Sequence, residues 1–247
     1  MGEVQVTTTR VLNGPGRLGN GRSPWALGLF SGVVVGLVAL TMPSGQSAFQ
    51  PYFGDINPVL ATGLVALVGA GSLALLVRRG WPGFLGVGGV GAALKSAAWI
   101  GTAFALPTVL VDYRFPFPQD INAALPQALL FYPAMGYVAE IAFHVLPLAC
   151  LVTALAHWSS AHRTSVAVWQ LLVPVALIEP AFQVWTGWST QQPRWVSVYV
   201  AMHLFLFGLF QLRLYTRHGL VAAYALRLVY YAHWHVLWGW ARLQLVA

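Results

Sequence analysis

One carboxylate, Glu140, stands out because it lies inside the apolar run from Gly136 to Pro147, within a stretch long enough to cross a bilayer. Ionisable groups at membrane depth cost at least ~2.5 kcal/mol on insertion scales, so they usually face a protein interior or an aqueous cavity. His144 follows one helical turn later and therefore lies on the same helical face. Further polar residues in apolar stretches are candidates for the same site: Glu179, His203 and His235.

The composition predicts the class of protein that must position these residues. Of 247 residues, 58% are hydrophobic and 8% are charged, and the mean hydropathy is +0.68, whereas average soluble domains contain roughly 25% charged residues. We therefore predict an all-α, polytopic membrane protein with one transmembrane domain, residues 24–247, after a polar cytoplasmic tail, residues 1–23. The net charge of +7 is scattered between the apolar runs. This argues against a nucleic-acid partner and leaves membrane lipids.

The apolar runs predict about seven transmembrane spans, most of them within the ~17–25 residues that a helix needs to cross the hydrocarbon core. Their approximate bounds are 24–42, 59–77, 81–111, 133–156, 166–185, 195–212 and 220–240. The third run is too long for one straight crossing, so it is either a tilted helix or a re-entrant piece followed by a helix. We expect a loop over residues 43–58 and a short interfacial helix over residues 121–132.

Arginine residues predict the orientation of these spans. Cytoplasmic segments carry an excess of Lys and Arg, so the predicted layout places the N-terminus in the cytoplasm and the C-terminus outside. The residues counted on or near the cytoplasmic side are Arg10, Arg17, Arg22, Arg78, Arg79, Arg163, Arg213, Arg217 and Arg227, against Arg114, Arg194 and Arg242 on the other side.

The predicted spans bring Glu140, Glu179, His203 and His235 to a similar depth, about two helical turns from the outer end of each span. We therefore predict that these four side chains surround one polar site nearer the non-cytoplasmic face. His233 points roughly 200° away from His235 on a helix, so only one of the two can face this site.

Three classes of function fit such a site. Hydrolysis of a peptide bond needs a base that deprotonates water and donors that stabilise the oxyanion, which a glutamate and two histidines can supply. A metalloenzyme is an alternative, because carboxylates and imidazoles suit zinc or iron. A non-catalytic membrane scaffold or pseudoenzyme is the third. The alternative metal ligands are Glu140, His144, Glu179, His203 and His235.

Three short motifs in the C-terminal half carry a resemblance to a known family. The segment Ala-Glu-Ile-Ala-Phe-His that ends at His144 is similar to a Glu-Glu-x-x-Phe-Arg motif. Tyr-Val-Ala-Met-His, from Tyr199 to His203, matches an aromatic-x-x-x-His motif, and His-Val-Leu-Trp-Gly, from His235, is similar to His-x-x-x-Asn. In these motifs the chain resembles the CAAX prenyl protease and bacteriocin-processing family of intramembrane glutamic proteases.

The resemblance implies an intramembrane endopeptidase that cleaves a membrane-associated peptide or protein without a cofactor. It implies that Glu140 is the general base that activates water, and that His203 and His235 bind the water or stabilise the oxyanion. His144, Glu179 and Tyr199 are supporting residues. Glu-Pro-Ala-Phe-Gln-Val at Glu179 repeats the pattern Glu-Ile-Ala-Phe-His-Val at Glu140, so either glutamate is a candidate for the functional one.

Overall fold

The computed structural model describes residues 24–86, 89–117, 121–155, 165–186 and 193–246, and the predicted tail, residues 1–23, lies outside the described residues. The α-helices of this part of the chain are α1 Pro24–Phe53, α2 Pro58–Arg78, α3 Val90–Arg114, α4 Ala128–Glu140, α5 Leu146–Leu155, α6 Ser165–Ala176, α7 Ile178–Trp185, α8 Arg194–His218, α9 Leu220–Tyr231 and α10 Gly239–Val246. Two π-helical segments join α4 to α5 and α9 to α10: Ile141–Val145 and Ala232–Trp238. The all-α prediction is confirmed for these residues, none of which lies in a strand.

Several helices fit an integral membrane protein by their length and composition. The stretches long and apolar enough to cross a membrane are Pro58–Arg78, Val90–Arg114, Ala128–Leu155, Val168–Trp185 and Arg194–His218. Leu27–Leu40 is a shorter apolar helix. A multi-pass helical membrane protein is therefore the architecture that the described helices fit.

Helix α1 runs beyond the first predicted span and through most of the loop expected over residues 43–58. Apolar contacts explain the extension, because the ring of Phe49 lies 4.9 Å from that of Phe131 and 6.0 Å from that of Phe53. Phe49 is 1% exposed. Burial of these rings outweighs the proline and glycine residues that suggested a loop.

The third predicted span is not one straight helix, because residues 81–86 are non-helical and α3 begins at Val90. Re-entry of the non-helical piece into the membrane remains a prediction. Residues 81–86 lie against the turn between α8 and α9, where the Gly86 N–H donates to the carbonyl of His218 at 2.8 Å. The N–H of Leu220 donates in turn to the carbonyl of Gly83 at 3.1 Å. Gly219 has φ +83°, and a Cβ there would lie 2.8 Å from the carbonyl oxygen of Gly83. This turn therefore requires glycine.

The chain before α4 is not the short interfacial helix expected over residues 121–132, because α4 begins only at Ala128. Its turn is held by Tyr132, whose hydroxyl accepts the Ala123 N–H at 2.8 Å and donates to the carbonyl of Ile121 at 3.2 Å. One side chain thereby replaces part of the backbone bonding that a helix would provide.

Helix α3 packs closely on α9 through small residues. Ala97 and Ala105 are 0% exposed, and between them Gly101 lies so near α9 that an added Cβ would be 2.9 Å from the carbonyl oxygen of Leu226 and 2.8 Å from Val229 Cγ1. Small residues permit such close approach in membrane helix pairs. The contact fixes α9, which carries Arg227 into the core.

We predict that Gly101→Ala destabilises the protein by about 1–3 kcal/mol, because the added methyl group overpacks a contact with backbone atoms. Unfolding in detergent micelles measures the effect. Gly91→Ala in the same helix is the matched control, since nothing lies within 4 Å of its added Cβ. Equal stability of the two variants would contradict the close α3–α9 contact.

Candidate functional site: a buried Glu-His-Arg cluster

The guanidinium of Arg227 lies at the centre of a polar cluster in the helical core. Its Nη1 and Nη2 atoms donate to the two carboxylate oxygens of Glu179, at 2.9 and 2.7 Å. Nε donates to Glu140 Oε2 at 3.4 Å, Nη1 also donates to the Tyr231 hydroxyl at 3.3 Å, and Nη2 donates to Gln211 Oε1 at 3.0 Å. A guanidinium has five N–H donors, so each of them has a partner.

Glu140 receives several hydrogen bonds on one carboxylate oxygen. Its Oε2 atom accepts from the Gln211 amide at 2.7 Å and from Arg227 Nε at 3.4 Å, and it lies 3.3 Å from His144 Nδ1. Gln211 also donates to the carbonyl of Ala223 at 3.2 Å. The carboxylate is therefore held by α8, by α9 and by the π-helical segment that follows it.

His144 joins the two carboxylates. Its Nδ1 faces Glu140, while its Nε2 is buried without a hydrogen-bond partner among the described residues and lies 4.0 Å from Glu179 Oε2. A Cβ added at Gly208 would lie 3.1 Å from Nε2. The absence of a side chain at Gly208 therefore gives the imidazole room to lie against the backbone of α8.

Local interruptions of the helices position these groups. The turn after Glu140 is π-helical, with the Leu146 N–H bonded to the carbonyl of Ile141, and such turns are frequent at functional sites. Pro180 has no N–H to donate to the carbonyl of Ala176, so α6 ends at Ala176 and α7 begins at Ile178. Glu179 thus lies in the first turn of a new helix, where the helix dipole favours a negative charge.

Burial makes the pairing in this cluster obligatory. Exposure is 1% for Glu140, His144 and Arg227, 4% for Glu179 and 0% for Gln211. Taking a charge out of water costs several kcal/mol, and only excellent geometry with further hydrogen bonds offsets that cost. The bidentate pair of Arg227 with Glu179 and the bonds from Gln211 meet this condition.

Arg227 corrects one step of the orientation argument. The arginine count placed it on or near the cytoplasmic side, whereas its side chain is 1% exposed and bonded to Glu140 and Glu179 in the core. It therefore carries no information about orientation. Neither Arg227 nor Gln211 is among the site residues predicted from the sequence. The signal that could have found them is an isolated polar residue in the middle of an apolar stretch.

His203 lies in a neighbouring group of hydroxyl and aromatic side chains. Its Nε2 is 3.1 Å from the Thr108 hydroxyl and its Nδ1 is 3.4 Å from the Tyr199 hydroxyl. The Thr108 hydroxyl also lies 3.3 Å from that of Tyr230. Both ring nitrogens of His203 thus face hydroxyl groups, one from α3 and one from α8.

His235 lies on the far side of Tyr231 from Arg227. Its ring stacks on Tyr132 with centroids 4.3 Å apart and meets the edge of Tyr231 at 4.9 Å. Its Nδ1 is buried and has no partner among the described residues. His233, which the helical geometry separates from His235, has its Nδ1 2.8 Å from the carbonyl of Val229. The structure thus gathers Glu140, His144 and Glu179 into one cluster and puts His203 and His235 in adjoining ones.

Within the described part of the chain, no group of three or more His, Cys, Asp or Glu side chains is arranged to hold a metal ion. Arg227 instead binds both oxygens of Glu179 and supplies the positive charge that the carboxylates require. The zinc or iron site remains a prediction, as does the expectation of no cofactor.

Comparison of this chain with protein-family models, with curated proteins and with solved structures finds no match. The resemblance to the intramembrane glutamic proteases therefore stays an interpretation of three motifs, and the function has to be argued from the site.

We predict that Arg227→Met lowers the free energy of unfolding by about 3–5 kcal/mol, because it leaves two buried carboxylates without their guanidinium. Denaturant unfolding in detergent micelles measures the loss. Arg114→Met is the control, because Arg114 is exposed beside Phe115. A loss for Arg227→Met no larger than that of the control would contradict a buried ion-pair network.

Proposed function

We propose that this chain is a membrane-embedded hydrolase, a glutamate-type peptidase that cleaves a membrane-associated peptide or protein. The observation that carries the proposal is the pair of Glu140 and His144. The carboxylate lies 3.3 Å from Nδ1 of the imidazole, and Nε2 of the same ring has no partner among the described residues. A carboxylate that fixes an imidazole in this way leaves Nε2 able to accept a proton.

The geometry favours a division of roles that differs from the sequence-based hypothesis, in which Glu140 itself is the base. Because Glu140 Oε2 already interacts with Gln211, Arg227 and His144, this oxygen is a poor acceptor for a further proton. We assign the general base to His144 and the orientation of its ring to Glu140. This assignment keeps both residues in the mechanism.

The gap between His144 Nε2 and Glu179 Oε2 is the proposed position of the attacking water. A water there can accept a hydrogen bond from neither carboxylate but can donate to His144 Nε2 and to Glu179 Oε2, which lie 4.0 Å apart. A polar pair at that separation is the kind of gap that one water bridges. Glu179 thereby acquires a role in holding the nucleophile.

The reaction follows from these positions. His144 Nε2 takes a proton from the water as its oxygen forms a bond to the scissile carbonyl carbon. The C–N bond of the tetrahedral intermediate then breaks, and His144 returns the proton to the leaving amine. His203 and His235 are proposed to act on the substrate, since they contact hydroxyl and aromatic side chains instead of the carboxylates. The reaction needs no cofactor, and the partners are membrane lipids and the peptide substrate.

A second candidate function, a non-catalytic membrane scaffold or pseudoenzyme, is favoured by the complete pairing of Arg227. All five donors of its guanidinium are bonded to groups of the core. An ion-pair network of this kind can serve only to specify how helices pack. Activity measurements on variants of the Glu140–His144 pair separate the two candidates.

We predict that Glu140→Gln reduces turnover of a membrane-associated peptide by at least ~10²-fold, because the substituted amide no longer holds the imidazole in its basic tautomer. Gly208→Ala is expected to reduce it as well, since the added methyl group would lie 3.1 Å from His144 Nε2 and displace the imidazole while every charge is retained. The controls are Asp55→Asn, which alters an exposed carboxylate, and Gly63→Ala, whose added Cβ has nothing within 4 Å. Undiminished turnover in both test variants would contradict this mechanism, and a wild type without turnover would favour the scaffold.

We also propose seven membrane spans with a cytoplasmic N-terminus. The supporting observation is that the ten described α-helices group into seven helical segments. Three of these segments each contain two helices in succession, α4 with α5, α6 with α7 and α9 with α10. The arginine asymmetry also persists without Arg227. The C-terminal end of α2 carries Arg78 and Arg79, and the C-terminal end of α8 carries Arg213 and Arg217, so both ends are proposed to be cytoplasmic.

Reporter fusions check this topology. A reporter fused after Arg79 is expected in the cytoplasm, and one fused after Ala247 is expected on the other side of the membrane. A C-terminal reporter in the cytoplasm would contradict the count of seven spans. The same fusions in the Gly63→Ala background serve as a folding control.

A further inference from the structure

The guanidinium of Arg227 offers two edges to a carboxylate, and they are occupied differently. The end edge, formed by Nη1 and Nη2, binds both oxygens of Glu179. The side edge, formed by Nε and Nη2, is shared, because Nε faces Glu140 Oε2 at 3.4 Å while Nη2 donates to Gln211 Oε1 at 3.0 Å. Either edge can bind a carboxylate in a bidentate manner.

Gln211 therefore stands where the second oxygen of Glu140 would bind. Its amide oxygen occupies Nη2 of Arg227, and its amide nitrogen donates to Glu140 Oε2 at 2.7 Å. The amide is 0% exposed, and its second N–H is directed to the carbonyl of Ala223. Both ends of the side chain are thus fixed, and the amide cannot turn away from either partner without breaking a buried bond.

We propose that Gln211 is a positioning residue that prevents Arg227 from binding Glu140 through its side edge. By holding one oxygen of Glu140 and one nitrogen of Arg227, Gln211 keeps the contact between them to a single long bond. Glu140 then stays directed at His144 Nδ1, 3.3 Å away. The inference about which edge Arg227 uses is structural, and its effect on turnover rests on the proposed hydrolase function.

The amide is the side chain that this position requires. A carboxylate could accept from Arg227 but not donate to Glu140, and it would add a third negative charge to the cluster. An apolar side chain would leave one of the two N–H groups of Nη2 without an acceptor, so that Glu140 could turn towards it. Only a side chain with an acceptor and a donor on one planar group satisfies both neighbours.

The test is an experimental structure of Gln211→Met, in which methionine preserves the volume and removes both hydrogen bonds. We expect Glu140 to bind Nε and Nη2 of Arg227 with both oxygens, and the Glu140–His144 bond to be lost. Gln170→Leu, an exposed position on α6, is the matched control and should leave the cluster unchanged. Glu140 still bonded to His144 in Gln211→Met, with a single contact to Arg227, would overturn the inference.

Gln211→Glu is the second variant, and it decides the question if Gln211→Met fails to fold. It keeps the acceptor for Nη2 and deletes the donor to Glu140, so Glu140 should move away from the introduced carboxylate and lose its bond to His144. An unchanged Glu140–His144 bond would overturn the inference here too. If the structural change occurs in a folded variant while the wild type shows no hydrolysis, the proposed function fails and the role of Gln211 stands. If the wild type is active, kcat should fall at least ~10-fold in that variant.

Discussion

A guanidinium enclosed by apolar helices must have a partner for each N–H and a negative charge beside it, and Arg227 imposes this requirement on the whole core. Its partners come from separate elements: Glu140 ends α4, Glu179 lies in the first turn of α7, and Gln211 lies on α8. Each of these helices has to approach α9 at the depth of Arg227. The cost of an unpaired buried charge makes any other arrangement unfavourable.

The backbone is irregular where this requirement is met. The π-helical turn after Glu140, the break before α7 and the glycine at position 208 all lie beside the cluster. Each departs from a regular apolar helix in order to bring a polar group to Arg227 or to make room for His144. The same irregularities leave one nitrogen of His144 without a partner among the described residues. That atom makes a chemical role for the cluster testable.

Much of the helical fold could be predicted from hydropathy, and the second predicted span, residues 59–77, lies close to α2, Pro58–Arg78. Glu140, His144 and Glu179 could be singled out because ionisable residues in apolar runs are costly. Their arrangement could not be predicted, since it depends on Arg227 and Gln211. In the sequence, Arg227 resembles an arginine at the cytoplasmic end of a span, and Gln211 carries no charge. The extended α1 depended on contacts of Phe49 with Phe131, a residue far away in the sequence.

The position of Arg227 tests this account most directly. An experimental structure of the full chain in a lipid nanodisc measures the distances from its guanidinium nitrogens to the carboxylates. The account predicts that Nη1 and Nη2 both lie within hydrogen-bond distance of the Glu179 oxygens, with Nε directed at Glu140. A guanidinium located among the lipid headgroups, away from Glu179, would contradict it.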